Sequence, residues 1–240
     1  MQRDRTLIII PALNEAGRIG AVVTDVRKAL PMSDVLVVDD GSEDTTAEEA
    51  TMAGARVLSL PVNLGYGAAL QAGYKAAVRH GYSLVGQIDG DGQHDASFLP
   101  SLLSELRERE CDVVIGSRFL DKDGHYTPSR ARKLGIGLFA RLASWYMRQP
   151  VSDPTSGFQV MRSPVARFFC TQVYPNDYPD ADILILLHRS GYRVREVPVQ
   201  MRMPTGKSMH SGHHSVYYVY KMILSILVTL LRPRHSANES

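Results

Sequence analysis

The chain is poor in cysteine, carries no excess of charge and lacks a long apolar run, and each shortage narrows what it can be. Only Cys111 and Cys170 occur among 240 residues, too few to staple a secreted, disulfide-built scaffold. Met1-Gln2-Arg3-Asp4-Arg5 leads into apolar sequence without a signal-peptide core, so a reduced, cytoplasmic setting is expected. With 27 basic against 25 acidic residues and a net charge of +2, nothing global argues for nucleic acid as a partner. Residues 215–231 form a 17-residue apolar stretch, whereas spanning a bilayer takes roughly 20. A helix lying in the headgroup layer fits better, with Lys221, Arg232 and Arg234 towards anionic lipid on the cytoplasmic face. A helix docked on the domain or paired in an oligomer is the alternative. The expected division is therefore a main domain over residues 1–210 and an apolar, basic-ended segment over 211–240.

Several familiar motifs are also missing. No G-x-S-x-G elbow occurs, so nucleophilic hydrolysis has no support. Gly65-Tyr66-Gly67 has Leu70 where a dinucleotide fingerprint needs its third glycine, and Gly206-Lys207-Ser208 has Met201 where a phosphate loop needs its first. A calcium hand opening at Asp89 fails, because His94 replaces the obligatory glycine and Pro100 the final glutamate. His210, His213 and His214 have no cysteine or acidic companion to complete a zinc site.

What is present is a core-forming composition, 44% hydrophobic, arranged in a repeating pattern. Short continuous apolar runs at residues 6–10, 35–38, 56–60, 83–88 and 112–115 alternate with helical periodicity at 19–30, 45–53, 67–80 and 98–109. Such alternation predicts an α/β fold with a parallel sheet covered on both faces. In sheets of this kind ligands gather beyond the carboxyl ends of the strands. The loops there are polar: Pro11-Ala12-Leu13-Asn14-Glu15, Asp39-Asp40-Gly41-Ser42-Glu43-Asp44, Asn63-Leu64-Gly65-Tyr66-Gly67, and Asp89-Gly90-Asp91-Gly92-Gln93-His94. Further on, residues 133–146 resume helical spacing, with Leu134, Leu138, Leu142 and Trp145 on one stripe. A turn at 153–158, a short strand, helices at 164–173 and 180–190 and a strand at 192–199 follow.

The last acidic turn carries the most chemistry. Asp89 and Asp91 at a strand exit can hold Mg²⁺ or Mn²⁺, ions that bind through one or two carboxylates while substrate phosphates complete the shell. Taken alone, the same residues also read as a polar turn capping the next helix. Asp39 and Asp40 can accept hydrogen bonds from a nucleobase or ribose. Arg118, Arg130, Arg132, Arg202 and Lys207 can neutralise phosphate, the arginines with a bidentate fork.

In order and spacing these motifs, together with Gly116-Ser117-Arg118, Ser156-Gly157-Phe158 and Glu196-Val197-Pro198, make the chain resemble the family 2 glycosyltransferases of the GT-A fold. More narrowly it resembles the polyprenyl-phosphate sugar synthases, over residues 5–208. The resemblance implies a Rossmann-like, mostly parallel sheet and a donor site for a nucleotide diphosphate sugar, UDP- or GDP-linked. It assigns nucleotide-sugar binding to Pro11, Leu13, Glu15, Val38, Asp39, Asp40, Gly65, Asp89, Gly90 and Asp91. The metal falls to Asp89, Asp91 and Gln93, and the phosphates of donor and acceptor to Arg118, Arg130, Arg202 and Lys207. Catalytic positions are Asp91, Arg118 and Asp153. The implied reaction inverts the anomeric carbon, with a polyprenyl phosphate as acceptor at a membrane surface. A glycan hydroxyl is the rival acceptor and would need a carboxylate base, for which Asp153, Asp180 and Asp182 are candidates. A sugar nucleotidyltransferase, which should carry a basic glycine-rich loop after its first strand, and a non-catalytic nucleotide-binding protein are more distant readings.

Overall fold

The computed structural model describes residues 4–121, 130–171, 174–175 and 181–202 together with Leu224, Val228 and Thr229; for 130–134 it describes the backbone alone. Lys207, Asp180, the His210–His214 cluster and most of the 215–231 segment lie outside the described residues, as does the side chain of Arg130.

Seven strands form one sheet: β1 (Thr6–Ala12), β2 (Asp34–Asp39), β3 (Arg56–Ser59), β4 (Leu84–Gln87), β5 (Val113–Ser117), β6 (Gln159–Arg162) and β7 (Val194–Pro198), in the spatial order β3-β2-β1-β4-β6-β5-β7. The helices are α1 (Ile19–Ala29), α2 (Thr46–Met52), α3 (Tyr66–Arg79), α4 (Leu99–Glu108), α5 (Arg130–Met147), α6 (Ser163–Phe169) and α7 (Ala181–Arg189). All of β1 is buried, and alternation along it feeds two cores. Ile8 and Ile10 pack with Val22, Val23 and Val26 of α1 and with the leucines of α4. Leu7 and Ile9 pack on the other face with Leu70 and Tyr74 of α3, with α6 and with α7. Burial on both faces is the physical reason the strands read as continuous apolar runs.

One strand runs against the others, which makes the sheet mostly parallel, as expected. β6 lies antiparallel between β4 and β5, with Gln159 opposite both Gln87 and Ile115. Because it runs backwards, its first residue sits beside the carboxyl ends of its neighbours, and the turn before it enters the edge where the other polar loops leave. After β7 the chain crosses to that edge too, with Met201 bridged to His94 and the Arg202 N–H donating to the Gln93 carbonyl at 2.7 Å.

Candidate active site

The register β1–β2 sets Ala12 opposite Asp39, and β1–β4 sets Ile9 opposite Gln87. Parallel pairing therefore delivers the ends of β1, β2 and β4 to one edge, and with them Pro11, Leu13, Glu15, Val38, Asp39, Asp89, Gly90 and Asp91. Gly90 is small for a reason: a Cβ there would come within 3.0 Å of the Pro11 carbonyl, so the acidic turn lies directly against β1. Gly92, at φ +75°, turns the chain through the left-handed region.

Side chains from the second loop stitch the first into shape. Backbone N–H groups of Asn14, Glu15, Ala16 and Gly17 donate in turn to Ser42 Oγ, Thr46 Oγ1, Asp44 Oδ2 and Glu49 Oε2, at 2.7–3.1 Å. Asn14 itself sits at φ +53°, a conformation asparagine tolerates better than most. Asp39 and Asp40 then divide their work. Asp40 accepts from the N–H groups of Leu64 and Gly65 at 2.8 and 2.9 Å, so it shapes the entrance to α3. Asp39 accepts from Ser42 N–H at 3.1 Å through Oδ1.

The acidic turn concentrates like charge. Burial and the neighbouring Asp89 push the Asp91 carboxyl above its ordinary range, against donation from the Gln93 N–H. Glu15 is pushed up in the same way by burial, then by Asp91, Asp44 and Asp89, although the Arg18 guanidinium lies 2.7 Å away. For Asp89 burial is again the largest influence and raises the pKa, but the His94 ring, Tyr66 and Arg118 outweigh it and hold the group low. Gln93 donates its amide N–H to Asp91 at 2.5 Å, which leaves its amide oxygen as a further donor atom for a metal. Among the described residues no three of His, Cys, Asp and Glu form a ready-made cage. Two repelling carboxylates plus an amide oxygen suit a hard cation that brings other oxygens with it.

Arg118 and Asp153 are brought together differently from expectation. Both are buried, and Asp153 accepts from Arg118 Nε and Nη2 at 2.6 Å each and from its backbone N–H at 3.1 Å. Expected as a phosphate ligand and a base, the two residues meet here as a mutual ion pair. Glu196 of β7 secures this turn, accepting from the N–H groups of Ser152 and Asp153 at 2.8–3.1 Å. Arg202 reaches Asp25 at 2.9 Å and Asp95 at 3.6 Å, close to the acidic turn and half exposed. Sequence reading missed Tyr66, His94 and Gly157 as neighbours of Asp89. A histidine closing the acidic motif was the available signal.

A strand edge that gathers acidic, glycine-rich turns from β1, β2 and β4 is matched by a family model, "Glycosyl transferase family 2", over residues 7–169. The chain belongs to this family. It is a glycosyltransferase, and the resemblance to polyprenyl-phosphate sugar synthases holds. It is 31% identical to an undecaprenyl-phosphate mannosyltransferase of Micrococcus luteus, over 87% of this chain and 88% of that one. It is equally identical to a polyprenol monophosphomannose synthase of Mycolicibacterium smegmatis, over 91% and 86%. Among solved structures, glucosyl-3-phosphoglycerate synthase of Mycobacterium tuberculosis, in complex with Mn²⁺, UDP and phosphoglyceric acid, superposes with a TM-score of 0.71 at 21% identity, covering 96% of this chain and 80% of that one. That likeness establishes the GT-A fold of this glycosyltransferase, with its mostly parallel sheet.

Proposed function

We propose that this glycosyltransferase moves a sugar, with inversion, from a UDP- or GDP-linked donor to a polyprenyl phosphate at a membrane surface. The observation that carries the reading is full-length similarity to enzymes named for that acceptor class. Asp39 receives the nucleoside, Glu15 and the β1 loop flank it, and Asp89, Asp91 and Gln93 hold Mg²⁺ or Mn²⁺. A divalent cation there supplies positive charge against the departing diphosphate. Arg202, with Arg130 and Lys207, contributes further positive charge. Arg118 is fixed by Asp153 as part of a rigid, water-poor wall, where electrostatic stabilisation is strongest.

The two candidate bases among the described residues favour a phosphate acceptor over a hydroxyl. Asp153 is held by Arg118, and Asp182 is buried at the start of α7. A phosphate monoester, with a second pKa of about 6, is already largely dianionic at neutral pH and needs no base.

Support for the membrane comes from α5. Its core face is Ile136, Phe139, Ala143 and Met147, while Leu138, Leu142 and Trp145 are exposed by 44%, 38% and 78%. Residues 130–148 carry Arg130, Arg132, Lys133, Arg141 and Arg148 and no acidic residue, the composition of a helix that lies on anionic lipid. Among the described residues no helix is long and apolar enough to cross a membrane. The test is transfer of labelled sugar from UDP- and GDP-sugars, with Mg²⁺ or Mn²⁺, to polyprenyl phosphate in vesicles. A lipid-linked product is expected. Turnover only with hydroxyl acceptors would overturn the acceptor, and no turnover with any donor would overturn the reading.

A further inference from the structure

Asp89 is gripped from both sides by groups to which the motifs give no role, and the proton of Tyr66 can be traced. The chain starts in the core. Gln87 Oε1 accepts from Tyr74 Oη at 2.6 Å and from Gln159 Nε2 at 2.8 Å. Tyr74 is wholly buried and its pKa is pushed up, so the phenol keeps its proton. The Gln87 amide oxygen is thus the atom turned to Tyr74 and Gln159. Gln87 Nε2 must then face the other way, where it donates to Tyr66 Oη at 3.0 Å. Tyr66 Oη is thereby an acceptor on that side, and its own proton goes to Asp89 Oδ1 at 2.6 Å, a short charge-assisted bond. On the opposite side His94 Nε2 lies 3.1 Å from Asp89 Oδ2, its side chain 3% exposed. The ring lies tilted by 32° against Phe158 at 5.2 Å, and its Nδ1 has no hydrogen-bond partner among the described residues. Gly157 leaves the necessary room: a Cβ there would stand 2.8 Å from Tyr66 Oη and 2.9 Å from each Asp89 oxygen.

We propose that Tyr66 and His94 are positioning residues that clamp Asp89 in one rotamer, their aim set by the buried Tyr74–Gln159–Gln87 relay and their fit by Gly157. The inference rests on the reading of Asp89 as a donor-site and metal carboxylate. With one donor on each oxygen, Asp89 keeps acceptor capacity for a ligand and is still 26% exposed. Asp91, whose hydrogen bonds among the described residues come from its near neighbour Gln93, is the adaptable partner of the pair. A carboxylate oriented in advance loses less freedom when a cation or ribose arrives, and such supporting contacts are worth about 10–100-fold in metal affinity or activity.

The test is Mn²⁺ binding with UDP or GDP, followed by electron paramagnetic resonance of the free ion, together with melting of the ligand-free protein. Tyr66→Phe should weaken Mn²⁺ binding by about 10–100-fold, while the ligand-free protein, although Gln87 loses an acceptor, stays folded at the assay temperature. His94→Leu should weaken it similarly, and His94→Gln, which restores a side-chain N–H donor, should recover most of the loss. Gly157→Ala should be at least as damaging as Tyr66→Phe. Wild-type affinity in Tyr66→Phe and His94→Leu would overturn the clamp while leaving the donor site standing, and so would a His94→Gln as weak as His94→Leu. Failure of the wild-type protein to bind Mn²⁺ with either nucleotide would instead sink the reading of the acidic turn, and the clamp with it.

Discussion

The turn after β4 and the turn before β6 enter the same sheet edge, yet they treat their carboxylates in opposite ways. In the first, Asp89 and Asp91 stand near Glu15 and Asp44, and mutual repulsion and burial push Asp91 and Glu15 upward. In the second, Asp153 is fully buried but meets Arg118 through three donors, and Glu196 closes the turn from β7. A buried charge that has found its opposite within the chain is architecture. Like charges gathered with only partial compensation, as Glu15 and Asp91 are despite Arg18, are held at a cost to the fold, and a cation from outside is the simplest means of relieving it.

The same substitution in the two turns should separate these roles. Asp153→Asn leaves the Arg118 guanidinium buried without its counter-charge, and breaking one side of a buried pair costs about 3–5 kcal/mol. For a chain of this length that is a fall in Tm on the order of 10 °C, measured by calorimetry, and activity should fall only as far as folding does. A double replacement, Asp153→Asn with Arg118→Met, should recover part of the loss. Unchanged melting in Asp153→Asn would erase the contrast and return Asp153 to the catalytic candidates. Asp91→Asn should do the reverse. Folding raises the Asp91 pKa, so its ionised form costs stability above the ordinary carboxylate range, and an asparagine removes that cost. Melting of the metal-free protein should hold or rise slightly at neutral pH, while turnover falls by about 10²–10³-fold, the scale of losing one electrostatic contact at a reacting centre.

How far the sequence foretold this division depends on the range over which each feature is determined. Strands β1, β2, β4 and β5 were legible because burial on both faces leaves a continuous apolar run, and the gathering of Pro11, Asp39 and Asp89 on one edge follows from parallel strands alone. The reversed direction of β6 was not legible, since it depends on Gln159 pairing with residues far away in the chain. The Arg118–Asp153 pair, 35 residues apart, was hidden for the same reason, and two residues that form one ion pair were read as separate phosphate and proton-handling groups. Asp40 looked equivalent to Asp39 because adjacent strand residues differ only in the face they take. One accepts from the backbone of Leu64 and Gly65, the other from the Ser42 N–H.

A third contrast lies within α5, whose two faces are both apolar although only one is covered. Helical spacing was visible in Leu138, Leu142 and Trp145, but periodicity says which residues share a face and not which face meets the core. Here the core took Ile136, Phe139, Ala143 and Met147. Trp145 is the one tryptophan of the chain and is 78% exposed, so its fluorescence reports on this face alone. Vesicles containing phosphatidylglycerol should shift its emission to shorter wavelength, and neutral vesicles should do so less, because Arg141 and Arg148 flank it. Leu142→Ala should weaken partitioning by roughly tenfold, the effect of withdrawing one leucine side chain from an apolar contact. A shift that depends on protein concentration and ignores lipid would instead mean that a second copy covers the stripe, and the contrast between the faces would become one between core and dimer interface.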